Sequence, residues 1–139
     1  MTSESLAAEA PTLEAKFAID PERARELNRS LEVLLLSRRC PSCRTRLEGQ
    51  IDLPPAKEQL KEIEECCAKA EDFIRPEMPL LEIVFRTLLA EGNHPMTVAE
   101  LHEVLTERWS TPTNPRNITP EALWRILSHE DYYCLRELP

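Results

Sequence analysis

The sequence predicts a mainly α protein: a helical N-terminal region carrying a Cys-x-x-Cys metal knuckle, followed by a helix-turn-helix that ends in a strand. Three observations carry this prediction. Apolar residues recur at steps of three and four in successive segments, the period of a helix with one buried face. Two glycines stand against twelve prolines in 139 residues, a balance that suits helices punctuated by prolines better than strands joined by tight glycine turns. Four of the five cysteines fall in two close pairs, Cys40 with Cys43 and Cys66 with Cys67.

Residues 1–18 read as a flexible tail, since the first fifteen are rich in Ser, Thr, Ala and Glu with no sustained apolar face. Asp20, Pro21 and Glu22 then supply a cap, a first-position proline and an early acid. Ala24, Leu27, Leu31, Leu34 and Leu35 follow at helical spacing, which predicts a helix over 21–37. Beyond the knuckle a polar stretch runs to Pro54 and Pro55. Ala56, Leu60, Ile63, Cys67, Ala70 and Ile74 then predict a second amphipathic helix over 56–73. Pro76 and Pro79 end it, so the chain divides into the tail, a helix–knuckle–helix region over 19–76, and a second unit over 77–139.

In that second unit Leu80, Leu81, Val84, Phe85, Leu88 and Leu89 form a third apolar stripe, which stops at Gly92 with Pro95 just beyond. Thr97 through Glu100 is a capping box opening a fourth helix, with Val98, Leu101, Val104 and Leu105 facing inward. A polar loop over 110–118 leads to Thr119 and Pro120, the start of a fifth helix carrying Leu123, Trp124, Ile126 and Leu127. Tyr132 through Leu138 closes the chain as a strand.

The cysteines are the strongest chemical signal. Cys40-Pro41-Ser42-Cys43 has the spacing of a zinc knuckle, in which two thiolates reach one tetrahedral ion. Cys66 and Cys67 would complete four sulfur ligands. Adjacent residues of a regular helix point about 100° apart, so both can ligate one ion only where the helix ends or unwinds. If Cys67 is instead a core thiol, Cys134, His94, His102 or an acid would stand as fourth ligand. A structural zinc is the first expectation, and an iron–sulfur cluster at the same cysteines, acting as a redox sensor, is the alternative. A zinc with four protein ligands has no open position for water, so the metal would add folding energy rather than Lewis-acid chemistry.

The remaining composition bounds the function. No secretory signal and no membrane span are seen, and the longest apolar run is Val33 to Leu36. A cytoplasmic protein is expected, its cysteines reduced or metal-bound. No catalytic grouping of Ser, His and Asp, no carboxylate pair and no phosphate-cradling glycine loop occurs, so an enzyme is not expected. The net charge of −8 opposes general phosphate binding, which rests on Lys and Arg displacing counterions. The one basic patch surrounds the first cysteine pair, where Arg38, Arg39, Arg44 and Arg46 would be presented at one edge to nucleic acid or an acidic partner.

Residues 80–138 resemble the winged-helix domain found at the N terminus of bacterial RNA polymerase delta subunits and in chromatin-associated proteins. The resemblance is carried by Leu81-Glu82-Ile83-Val84-Phe85, by Gly92-Asn93-His94-Pro95-Met96-Thr97-Val98-Ala99-Glu100-Leu101, by Leu123 to Leu127 and by the closing aromatic strand. It implies a helix-turn-helix with a wing reduced to one strand, and a transcription-associated role with RNA polymerase or DNA as partner. The helix in the recognition position offers only Arg125 as a fixed cation, beside Glu121. Base reading normally uses several polar or basic side chains on that face, so protein docking fits this composition better, and an adaptor or assembly protein with no nucleic-acid contact is a further alternative.

Overall fold

The computed structural model describes residues 12–139, so the first eleven residues of the expected tail lie outside the described part. The first element is not tail at all. Lys16–Ile19 forms strand β1, with Phe17, Ala18 and Ile19 buried. Asp20 then caps helix α1 (Pro21–Glu26), its carboxylate accepting from the Glu22 N–H at 3.0 Å.

The single helix expected over 21–37 is two. Asn28 takes φ 53°, a left-handed conformation that Asn tolerates because its short polar side chain bonds locally. Ser30 caps a new helix, α2 (Leu31–Leu36), by accepting from Val33 N–H at 3.2 Å. The polar stretch after the knuckle also holds a helix, α3 (Pro41–Glu48), with Cys40 at its cap, Pro41 in its first turn and Leu47 buried. Helix α4 (Ala56–Glu65) stops eight residues before the expected end and gives way to a 3-10 turn, Cys67–Lys69.

The second unit begins with α5 (Leu80–Ala90), one of whose faces is wholly buried through Ile83, Val84, Phe85, Leu88 and Leu89. Gly92 (φ 67°) and Asn93 (φ 59°) reverse the chain, and a short strand β2 (Met96–Thr97) follows. The predicted capping box is present in α6 (Val98–Glu103), which continues as a π-helical turn, Val104–Arg108. Helix α7 (Pro120–His129) is capped by Thr119 and buries Leu123 and Leu127, whereas Ile126 is 39% exposed. Strand β3 (Leu135–Leu138) ends the chain.

The sheet joins the two ends of the sequence. Its order is β2-β1-β3, and both pairings are antiparallel. Lys16 stands opposite Thr97 on one side and Leu138 on the other, and Ile19 opposite Leu135. Packing therefore runs across the sequence boundary at Pro76: Phe17, Leu35, Ile63, Phe85, Leu101 and Leu123 belong to one apolar cluster.

A buried ionic hub ties the same parts together. Glu82 on α5 accepts two hydrogen bonds from Arg38 (2.6 and 3.0 Å), one from Arg86 (2.7 Å) and one from the Tyr133 hydroxyl (3.0 Å). Burial alone would raise its pKa, but the two guanidiniums outweigh that and hold the carboxyl at about 2.

Candidate metal centre

Two chain segments deliver the sulfurs. On the first, Cys40 occupies the cap of α3 and Cys43 lies within its first turn. Free backbone N–H groups cluster at a helix start, where they favour negative charge. On the second, α4 makes its last hydrogen bond from Cys66 N–H to Glu62 O at 2.9 Å. Cys66 then leaves helical geometry (φ −127°, ψ −70°) and Cys67 opens the 3-10 turn. This meets the geometric condition for two adjacent cysteines to reach one point.

The outcome is a compact group. The four sulfurs of Cys40, Cys43, Cys66 and Cys67 all lie within 4.8 Å of one another, with Cys43 and Cys66 3.8 Å apart. A tetrahedral ion with metal–sulfur bonds of about 2.3 Å sets neighbouring sulfurs about 3.8 Å apart. The four cysteines could therefore hold a metal ion. Cys43 and Cys67 are buried, Cys40 is half-buried and Cys66 is exposed.

The local environment separates the thiols. The Ser42 hydroxyl and the Cys43 backbone N–H stabilise the Cys40 thiolate and pull its pKa down to about 6. Burial pushes Cys67 up to about 11. Cys66 is raised by its sulfur neighbours Cys43 and Cys40, since crowded sulfurs resist carrying charge together.

The other sequence candidates are not in this group. Cys134 is buried with its thiol toward Tyr132 O, His102 is hydrogen-bonded with Ile118 O at 2.6 Å, and His94 is exposed.

The expected edge of four arginines is reduced to two. Arg38 serves Glu82, with its side chain 9% exposed. Arg39 is fully enclosed and pairs with Glu62 at 2.6 Å. Both find their acids on α5 and α4, so their charge is used inside the fold. Arg44 and Arg46 remain exposed, the first donating to Ser37 O at 2.9 Å and the second 3.4 Å from Glu62. Arg125 is exposed on α7 and paired with Glu121 at 2.9 Å.

Sequence reasoning passed over two residues of consequence here. Glu62 receives Arg39 and Arg46 one turn before Cys66, and Glu82 gathers Arg38 and Arg86. The only signal available was position: Arg39 precedes Cys40, and Glu62 stands four residues before Cys66.

Among the described residues, no helix is long and apolar enough to cross a membrane. Set against protein-family models, curated proteins and solved structures, the chain matches none of them.

Proposed function

We propose that this chain is a transcription-associated accessory protein. In this reading a structural zinc on Cys40, Cys43, Cys66 and Cys67 staples its N-terminal helices beside a helix-turn-helix unit that docks on a macromolecular partner. The observation that carries the proposal is the convergence of four sulfurs within 4.8 Å.

The spacing of the sulfurs favours one zinc over an iron–sulfur cluster. A cluster spreads its cysteines over separate irons, whereas a single ion wants all of them on one tetrahedron. The pair at 3.8 Å suits the single ion. Four protein thiolates close the coordination sphere, which suits a folding role and no catalysis. Free thiols and a thiolate centre both belong in a reducing compartment, so the cytoplasm is the proposed location.

For the partner, the order α5, α6, α7 followed by a strand supports the helix-turn-helix reading, and charge argues for protein over DNA. The exposed candidate cations are Arg44, Arg46 and Arg125, the last already paired with Glu121, on a chain of net charge −8. An RNA polymerase surface is the partner we propose.

The test is binding of the zinc-loaded chain to purified bacterial RNA polymerase and, separately, to duplex DNA at about 50 and about 200 mM salt. Saturable polymerase binding that is lost on substituting exposed side chains of α7, such as Ile126→Asp, would support the proposal. DNA binding that falls steeply with salt and is abolished by Arg44→Ala with Arg46→Ala would replace it with a nucleic-acid role. Absence of both interactions would overturn it.

A further inference from the structure

A fully enclosed cation stands beside the cysteine group. The Arg39 side chain is 0% exposed, and its one ion pair uses Nη2, which donates to Glu62 Oε1 at 2.6 Å. Its Nε and Nη1 are buried with no hydrogen-bond partner. A guanidinium carries its donors in a rigid planar fork, and leaving two of its nitrogens dry and unpaired would be costly. The polar groups beside it are the sulfurs: Arg39 lines one cleft with Cys40 and Cys67, and the side chains of Cys43 and Cys67, one from each arm of the centre, both help to hold its charge.

Charge bookkeeping around the site points the same way. Four thiolates on a divalent ion carry a net charge of minus two. Arg39 and Arg46 share Glu62, and Arg38 and Arg86 share Glu82, so each trio is left with one positive charge. Arg38, Arg39 and Arg86 line one cleft of about 230 Å³ together with Cys40 and Cys67. The two trios therefore offset the charge of a tetrathiolate centre, and Arg39 is the member that faces the sulfurs.

We propose that Arg39 is a positioning residue of the metal centre, donating Nε–H and Nη1–H to the metal-bound sulfurs of Cys43 and Cys67 while Nη2 stays on Glu62. This rests on the metal reading above and adds a role for a residue outside the ligand set. Because Arg39 adjoins Cys40, and the Glu62 carbonyl accepts the last helical hydrogen bond from the Cys66 N–H, the ion pair also draws the two cysteine arms together. N–H donors drain charge from the sulfurs, so they strengthen retention of the ion and make the thiolates poorer nucleophiles.

The experiment compares wild type, Arg39→Gln and Arg39→Lys in the 139-residue chain. Zinc affinity is measured by competition with a chromophoric chelator, and the rate of thiolate alkylation is measured on the zinc-loaded protein. The cobalt(II)-substituted forms report the sulfur-to-metal absorption band. Loss of a partner behind metal ligands typically weakens binding about 10- to 100-fold, and that loss is expected for Arg39→Gln, with faster alkylation and a shifted cobalt band. Arg39→Lys keeps a cation for Glu62 but cannot present Nε and Nη1 together. It should fold and yet fall with Arg39→Gln in both affinity and alkylation rate.

A purely structural Arg39 would lower metal-free and metal-loaded stability alike and leave affinity, alkylation and the cobalt band unchanged. If wild type binds zinc and both variants match it in these readouts, the inference is overturned while the metal reading stands. If wild type binds neither zinc nor cobalt, the metal reading falls and the inference with it.

Discussion

Replacing Glu82 tests whether the two sequence units are joined by a buried charge rather than by apolar contact alone. The Glu82 side chain is 12% exposed and its carboxylate takes four hydrogen bonds, from Arg38, Arg86 and Tyr133. Removing one member of a buried ionic group leaves the other charges uncompensated, at a cost of about 3–5 kcal/mol.

The pKa gives an independent figure. Lowering it from 4.5 to about 2 corresponds to on the order of 3 kcal/mol at about 1.4 kcal/mol per unit. With an unfolding entropy of about 2 cal/mol/K per residue, a chain of this size loses about 3.6 °C per kcal/mol, so Glu82→Gln should lower Tm by about 11–18 °C at neutral pH.

The pH dependence has a definite sign. The folded pKa is depressed, so the stabilisation is complete above about 4.5 and disappears as pH falls toward about 2. The stability difference between wild type and Glu82→Gln, measured by urea unfolding, should therefore shrink through that window. Protonation of the thiolates affects both proteins and drops out of the difference. A Glu82→Gln protein within 1 kcal/mol of wild type at pH 7 would refute the hub.

Three further outcomes follow from the packing. Phe17→Ala, at the centre of β1 and 1% exposed, should cost about 3–5 kcal/mol in chemical unfolding, although a disordered tail would predict no change. Gly92→Ala should cost about 1 kcal/mol: φ is 67°, and a Cβ would lie 2.6 Å from Glu64 Oε2, a side chain that can swing away, leaving backbone strain as the main penalty. Cys134→Ala should retain full metal content by elemental analysis, since Cys134 is outside the group of four; loss of metal with the fold intact would show that the ligand set is wrongly drawn.

How much was legible depended on how local the cause was. The caps at Asp20, Thr97 and Thr119 lie a few residues from the groups they bond, and all three are present. The apolar stripe of α5 is likewise a short-range signal. The break at Asn28-Arg29-Ser30 was also written locally, but the leucine periodicity on either side masked it; the left-handed Asn and the Ser cap prevailed over the pattern.

β1 was not legible. Four residues show too little alternation to declare a strand, and its partners lie at Met96–Thr97 and Leu135–Leu138. The cysteines were found by spacing, while the unwinding at Cys66 that brings Cys67 to the group depends on tertiary packing. Charge was the least legible feature: Arg38 and Arg39 look like surface cations in a basic run, and only their distant partners Glu82 and Glu62 turn them inward.

The most direct test of the central claim is metal and acid-labile sulfide content of anaerobically purified protein, wild type beside Cys40→Ser with Cys43→Ser. One zinc per chain, no sulfide, and loss of both zinc and folded structure in the variant is the result predicted here. Iron with sulfide, or a folded wild-type chain with no metal, would contradict it.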